Sequence, residues 1–163
     1  MKNVNSRSSI EQCAAEFERI LQIIDGLGQM SNVVPFLTKY AIIRACGTIE
    51  YCFKTIISDL HAGNSLQVQN YIDNTIRNSS MNPSMTNIYK TLNKFDYSWN
   101  NNFKKRLKQH PDFTRIKYSI DSLNTARNSF AHGNSTSSSF DSIRNYFQDC
   151  IILLEILDDV VSE

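Results

Sequence analysis

Glycine and proline are scarce, with 5 and 3 copies among 163 residues. A fold of many short strands needs them at its turns, so their scarcity argues against one. No segment alternates apolar and polar residues cleanly, and no internal repeat is present. The four cysteines, Cys13, Cys46, Cys52 and Cys150, include no C-x-x-C pair. Each sits in an apolar helical pattern, so buried reduced thiols are expected rather than a zinc site or a disulfide framework. No window approaches the roughly 18 apolar residues of a membrane span. The stretch Met1–Arg7 lacks the apolar core of a signal peptide. A cytoplasmic protein without membrane contact is therefore expected. Net charge is also small, formally +1, and does not by itself mark a nucleic-acid binder.

What is present is helical periodicity. Residues 1–8 are polar and expected to be disordered, with residues 9–163 forming one domain. Ser8 or Ser9 can cap a first helix carrying Ile10, Cys13, Phe17, Ile20 and Ile24 on one stripe, closed by Gly26 and Gly28. Pro35 opens a long second helix to about Leu60. Its apolar positions include Phe36, Tyr40, Ile43, Cys46, Ile49, Phe53 and Ile57. Ser65 and Ser84 can cap shorter helices. Another carries Trp99, Phe103 and Leu107 and stops before Pro111. A helix from Phe113 leads into Arg127, and Gly133 to Ser139 reads as a loop. Ser139 caps a last helix with Phe140, Ile143, Phe147, Cys150, Leu154 and Leu157. The fold class is all-α, a single helical bundle of about five to seven helices.

Charge is unevenly spread. Lys90, Lys94, Lys104, Lys105, Arg106, Lys108, Arg115 and Lys117 face only Asp96 and Asp112 in the same stretch. The last helix is acidic, with Arg144 alone against six carboxylates. Such polarity suits an anion-binding side, or simply a solvated basic face. Tyr97 and Trp99 can stack bases, whereas Phe95 and Phe103 fit a core. His61 and His110 have no metal-ligand companion at helical spacing, and surface or helix-end roles suit them.

Arg127-Asn128-Ser129-Phe130-Ala131-His132-Gly133 concentrates chemistry. An Arg presents a planar fork of donors to phosphate, and an imidazole can give or take a proton near neutral pH. Together they can cleave a phosphodiester without a metal. Five positions on a helix turn through about 140°, so Arg127 and His132 diverge. They meet on one phosphate if the helix ends between them, as Gly133 allows, or if two copies face each other across a two-fold axis. A purely structural reading also exists, since cations are favourable at a helix C-terminus.

Arg-x4-His, with Asn after the Arg and Gly after the His, in the penultimate helix of a small all-α domain, resembles the HEPN superfamily. Arg44-Ala45-Cys46-Gly47-Thr48-Ile49-Glu50 resembles its RiboL-PSP-type branch, in which an Arg and a Glu recur in an early long helix. The resemblance spans about residues 10–160. It implies a metal-independent endoribonuclease without cofactor, acting as a homodimer on RNA, in toxin–antitoxin or phage-defence systems. An antitoxin or other defence protein is an implied partner. Arg127 and His132 would be catalytic and Asn128 would position the motif or the phosphate. Glu50 would orient Arg127, with Arg44 in support. Lys104, Lys105, Arg106 and Lys108 would attract the RNA backbone. The alternative is a non-catalytic HEPN module that binds RNA or a protein, or dimerises.

Overall fold

The structure, a computed structural model, describes residues 1–134 and 138–163. Among the described residues seven α-helices follow one another: α1 Val4–Leu27, α2 Val34–Asp59, α3 Leu66–Ile72, α4 Met85–Phe95, α5 Tyr97–Gln109, α6 Phe113–Ala131 and α7 Phe140–Val161. Helix α3 continues as a π-helical turn, Asp73–Arg77. The described residues contain no strand, and the all-α expectation is borne out. Of the loop expected from Gly133 to Ser139, residues 135–137 lie outside the described residues.

Helices α2 and α7 form the centre, because both present apolar side chains on more than one side. α1 packs on α2, α6 packs on α2 and α7, and α5 covers α7 with α4 beside it. The Phe17 ring of α1 meets Phe140 and Phe147 of α7 edge-on, with centroids 5.7 and 5.4 Å apart. Edge-to-face contacts of this kind add to the simple gain from burial. Ser84 and Ser139 cap α4 and α7 by accepting from the amides of Asn87 and Ser142. Each such cap contributes about 1 kcal/mol. α6 is tied to α7 by Asp149, which is buried and accepts from Ser119 Oγ at 2.7 Å and Arg115 Nε at 2.9 Å.

The structure corrects the start of the first helix. It begins at Val4, not after Ser8 or Ser9, and Asn3 caps it by accepting from the Ser6 amide at 2.8 Å. Residues 4–8, expected to be disordered, thus belong to the helix. The buried Asp158 carboxylate on α7 accepts from the Lys2 and Asn3 amides. Ser6 lies buried in register with Ile10, Cys13 and Phe17. A polar residue at that position left the stripe unreadable in its first turn.

The four thiols are free and buried, as expected. Burial pushes Cys46 and Cys52 up to about 12, which leaves them protonated and inert as nucleophiles.

Arg44 on α2 forms a two-pronged clamp on Glu16 of α1, with Nε–Oε2 at 2.8 Å and Nη2–Oε1 at 3.0 Å. The Arg44 guanidinium, aided by the Tyr40 hydroxyl, holds the Glu16 carboxyl below the usual carboxylate range. A carboxyl with a lowered folded pKa stabilises the fold fully above its unfolded pKa, and this contribution is lost as pH falls through the folded one. Glu16→Gln is expected to cost about 1 kcal/mol at neutral pH. In urea titrations the gap from wild type should close on acidification into the carboxylate range. A gap that stays constant down to acid pH would show that the charge on Glu16 is not what matters.

Candidate active site

The Arg–His motif occupies the last turn of α6 and its cap. The helix does not end between Arg127 and His132: it continues through Ala131, and His132 is the C-cap residue. The end is built by glycine. Gly133 takes a φ of 78°, in the left-handed region that side chains disfavour. The Asn134 amide then bonds the Ser129 carbonyl at 2.9 Å and the Gly133 amide the Phe130 carbonyl at 3.0 Å. This pair of bonds is the Schellman arrangement. With the helix intact from Arg127 to Ala131, the two side chains leave α6 in directions about 140° apart. His132 is exposed and Arg127 half-buried. Arg127 Nη1 reaches Asn128 Oδ1 at 3.5 Å, at the limit of a hydrogen bond. Among the described residues the Arg127 guanidinium joins no ion pair.

Helix α2 runs antiparallel to α6 beside the motif. Cys46 Sγ donates to the Leu123 carbonyl at 3.6 Å. Further along, Lys39 Nζ lies 5.8 Å from the ring centres of both Phe36 on α2 and Phe130 on α6. Phe36, Tyr40 and Ile43 are 70%, 52% and 44% exposed. The steps of four and three place them on one face of α2, which adjoins the motif through Phe130. These three were expected in the core stripe. Instead Thr38, Ala41, Ile42 and Ala45 face inward. An apolar residue set on two sides of one helix was the available signal that this helix has more to cover than one core.

The RiboL-PSP-HEPN family model matches residues 9–163. The chain belongs to this family. No curated protein and no solved structure matches it.

Within this HEPN chain the other site residues fall in different places. Glu50 does not bond Arg127. Its Oε1 accepts from Lys54 Nζ at 2.5 Å, one turn along α2, and from the Met81 amide at 3.4 Å. Lys54 also donates to the Ser79 carbonyl. The pair therefore pins the segment before α4. Glu50 and Arg127 both act electrostatically on Cys46, in opposite directions. Arg44 is not brought to the motif. It is two positions from Cys46, about 200° around the helix, and is bound to Glu16 on the α1 side and to Thr48 Oγ1.

The basic run lies on a different helix from Arg127. Lys104, Lys105, Arg106 and Lys108 lie on α5, and Arg106 pairs with Glu163, just beyond the C-terminal end of α7. Lys108 nears the start of α6, and α6 carries the chain about 27 Å from Phe113 to Ala131. Lys104 Nζ sits over the Tyr89 ring at 4.8 Å. Arg106–Glu163 and Arg115–Asp149 partly neutralise the charge polarity legible in the sequence. Phe103 is core, Trp99 is half-buried, and Tyr97 is exposed. His110 Nδ1 accepts from the Asp112 amide at 3.1 Å, a local turn contact. Among the described residues no group of three His, Cys, Asp or Glu is placed to hold a metal ion, and no helix is long and apolar enough to cross a membrane.

Proposed function

We propose that this HEPN chain is a metal-independent endoribonuclease whose site is assembled from the Arg127–His132 segments of two copies. The observation that carries this reading is the unbroken last turn of α6. It turns Arg127 and His132 away from each other, so one copy aims them poorly at one phosphate, while a two-fold partner supplies the missing group. The exposed Phe36–Tyr40–Ile43 face beside the motif is the surface that a second copy would cover.

The reaction uses the RNA's own nucleophile. One imidazole takes the proton of a 2′-hydroxyl, whose oxygen attacks the adjacent phosphorus. The P–O5′ bond breaks, and an imidazolium returns a proton to the leaving 5′-oxygen. The Arg127 guanidinium groups stabilise the charge that gathers on the phosphoryl oxygens. The products are a 2′,3′-cyclic phosphate and a 5′-hydroxyl. Asn128, within reach of Arg127, would hold the guanidinium fork in place. The biological role in this reading is a toxin or phage-defence effector, with an antitoxin or another defence protein as regulator.

The test is cleavage of labelled single-stranded RNA in EDTA, followed by end analysis. Cyclic-phosphate ends and an uncut DNA of the same sequence are expected. The engagement of Glu50 with Lys54, rather than with Arg127, favours a second reading: an RNA-binding or dimerising module without cleavage. RNA retained on the protein but left intact would decide for it.

A further inference from the structure

One cavity contains none of the motif's residues. It measures about 660 Å³ and lies between the α3/π segment and α4. This size falls within the range of small-molecule and cofactor pockets. Tyr71 and Phe95 give it aromatic surface, Thr75 and Asn82 give hydrogen-bonding groups, and Lys94 is its single cation. No carboxylate lines it. A planar, hydrogen-bonding ligand that carries negative charge suits such a wall.

Three further observations single this cavity out. First, one wall is the π-helical turn Asp73–Arg77, which includes Thr75. π-turns are rare and frequent at functional sites. Second, Asn82 Oδ1 is buried without a hydrogen-bond partner. An orphaned acceptor is unfavourable, and a rotation of the side chain into the cavity would let a ligand N–H satisfy it. Third, the wall is fastened to the motif's surroundings. The Met81 amide bonds Glu50, and Asn124 Nδ2 bonds the Pro83 carbonyl at 3.5 Å. Asn124 is three residues before Arg127 on α6, so their Cβ atoms lie about 5–6 Å apart. The segment Met81–Pro83 thus ties the cavity wall to α2 and to the α6 turn before Arg127.

We propose that this cavity is a nucleotide subsite, taking a nucleobase against Tyr71 and Phe95 with its phosphate toward Lys94. It rests on the ribonuclease reading only for the source of the nucleotide, a residue of the RNA chain flanking the cleaved bond. A free mononucleotide has the same chemistry. Such a subsite would hold RNA by stacking and one lysine, not by a field of charge.

The probes are a single-stranded 2′-O-methyl hexanucleotide of mixed sequence, which lacks the nucleophile, and the four nucleoside 5′-monophosphates. Each is titrated into the isotope-labelled protein, with amide signals followed by NMR. The hexanucleotide is expected to shift Thr75, Asn82 and Phe95. Tyr71→Ala and Thr75→Trp should each weaken its binding about tenfold. Both residues are exposed, so these variants keep the fold, as unchanged signals from α7 would confirm. Shifts with monophosphates only would uphold the subsite and assign it to a free nucleotide. No shift at these residues with either probe would overturn it. So would Thr75→Trp cleaving RNA with unchanged KM, and that result would leave the ribonuclease reading intact. Shifts at the cavity in a protein that never cleaves RNA would uphold the subsite and remove the ribonuclease reading.

Discussion

His132→Ala is expected to lower the rate of RNA cleavage at least about 100-fold, the usual worth of a general acid or base, with Arg127→Ala at least as severe. Both changes should leave the fold nearly untouched. His132 is exposed at the C-cap, and Arg127 is half-buried without an ion pair among the described residues. Surface changes of this kind usually stay within about 0.5 kcal/mol. The double variant should be little worse than either single one, because groups that act in one step do not add. The structural explanation of the same motif makes the opposite pattern. If Arg127 and His132 serve only the helix dipole, their removal costs about 0.3–1 kcal/mol of stability and leaves cleavage alone. Melting curves and initial rates in EDTA, taken on the same samples, separate the two. Expression in cells gives a coarser readout, in which growth arrest by wild type and its relief by either variant go with the toxin role.

Much of the architecture could be read from residue spacing. The α7 stripe of Phe140, Ile143, Phe147, Cys150, Leu154 and Leu157 is buried throughout, as α7 packs against α2, α5 and α6. Ser84 and Ser139 cap the helices they precede, whereas Ser65, also expected to cap, makes no side-chain cap bond at the start of α3. The failures have local causes. Asn3 starts α1 with a polar turn held by Asp158, a residue more than 150 positions away, and no local pattern encodes such a contact. Helix α2 carries apolar residues on two faces, and spacing alone merged Phe36, Tyr40 and Ile43 with the core. Glu50 had several cations within reach in principle. Lys54, one turn along the same helix, wins because it is already there before any tertiary contact forms. At the motif, residue types pointed to phosphate chemistry, and the helix end that Gly133 left open between Arg127 and His132 is absent, since α6 continues to Ala131.

That geometry makes the surface around Ile43 the most sensitive place to perturb without touching the motif. Ile43→Asp and Phe36→Asp are expected to yield monomers and to reduce cleavage at least about 100-fold, while melting temperatures stay close to wild type. Both side chains are exposed in one copy, so neither substitution removes core packing. In a two-fold assembly each change occurs twice. It would place carboxylates in a patch that loses its water on pairing, at a cost of several kcal/mol. A cost of that size moves a micromolar dimer beyond any concentration used in an assay. Cleavage should fall because half of each composite site would be missing, and dilution of the wild type is expected to lower it in the same way. Sedimentation equilibrium run beside the cleavage assay gives the decisive pairing of results. Loss of both dimer and activity in variants that still fold assigns the interface to this face of α2. Intact dimers with full activity would move the interface elsewhere on the bundle. A wild type that cleaves at full rate as a monomer would remove the composite site altogether, and would require Arg127 and His132 to act on different phosphates or different steps.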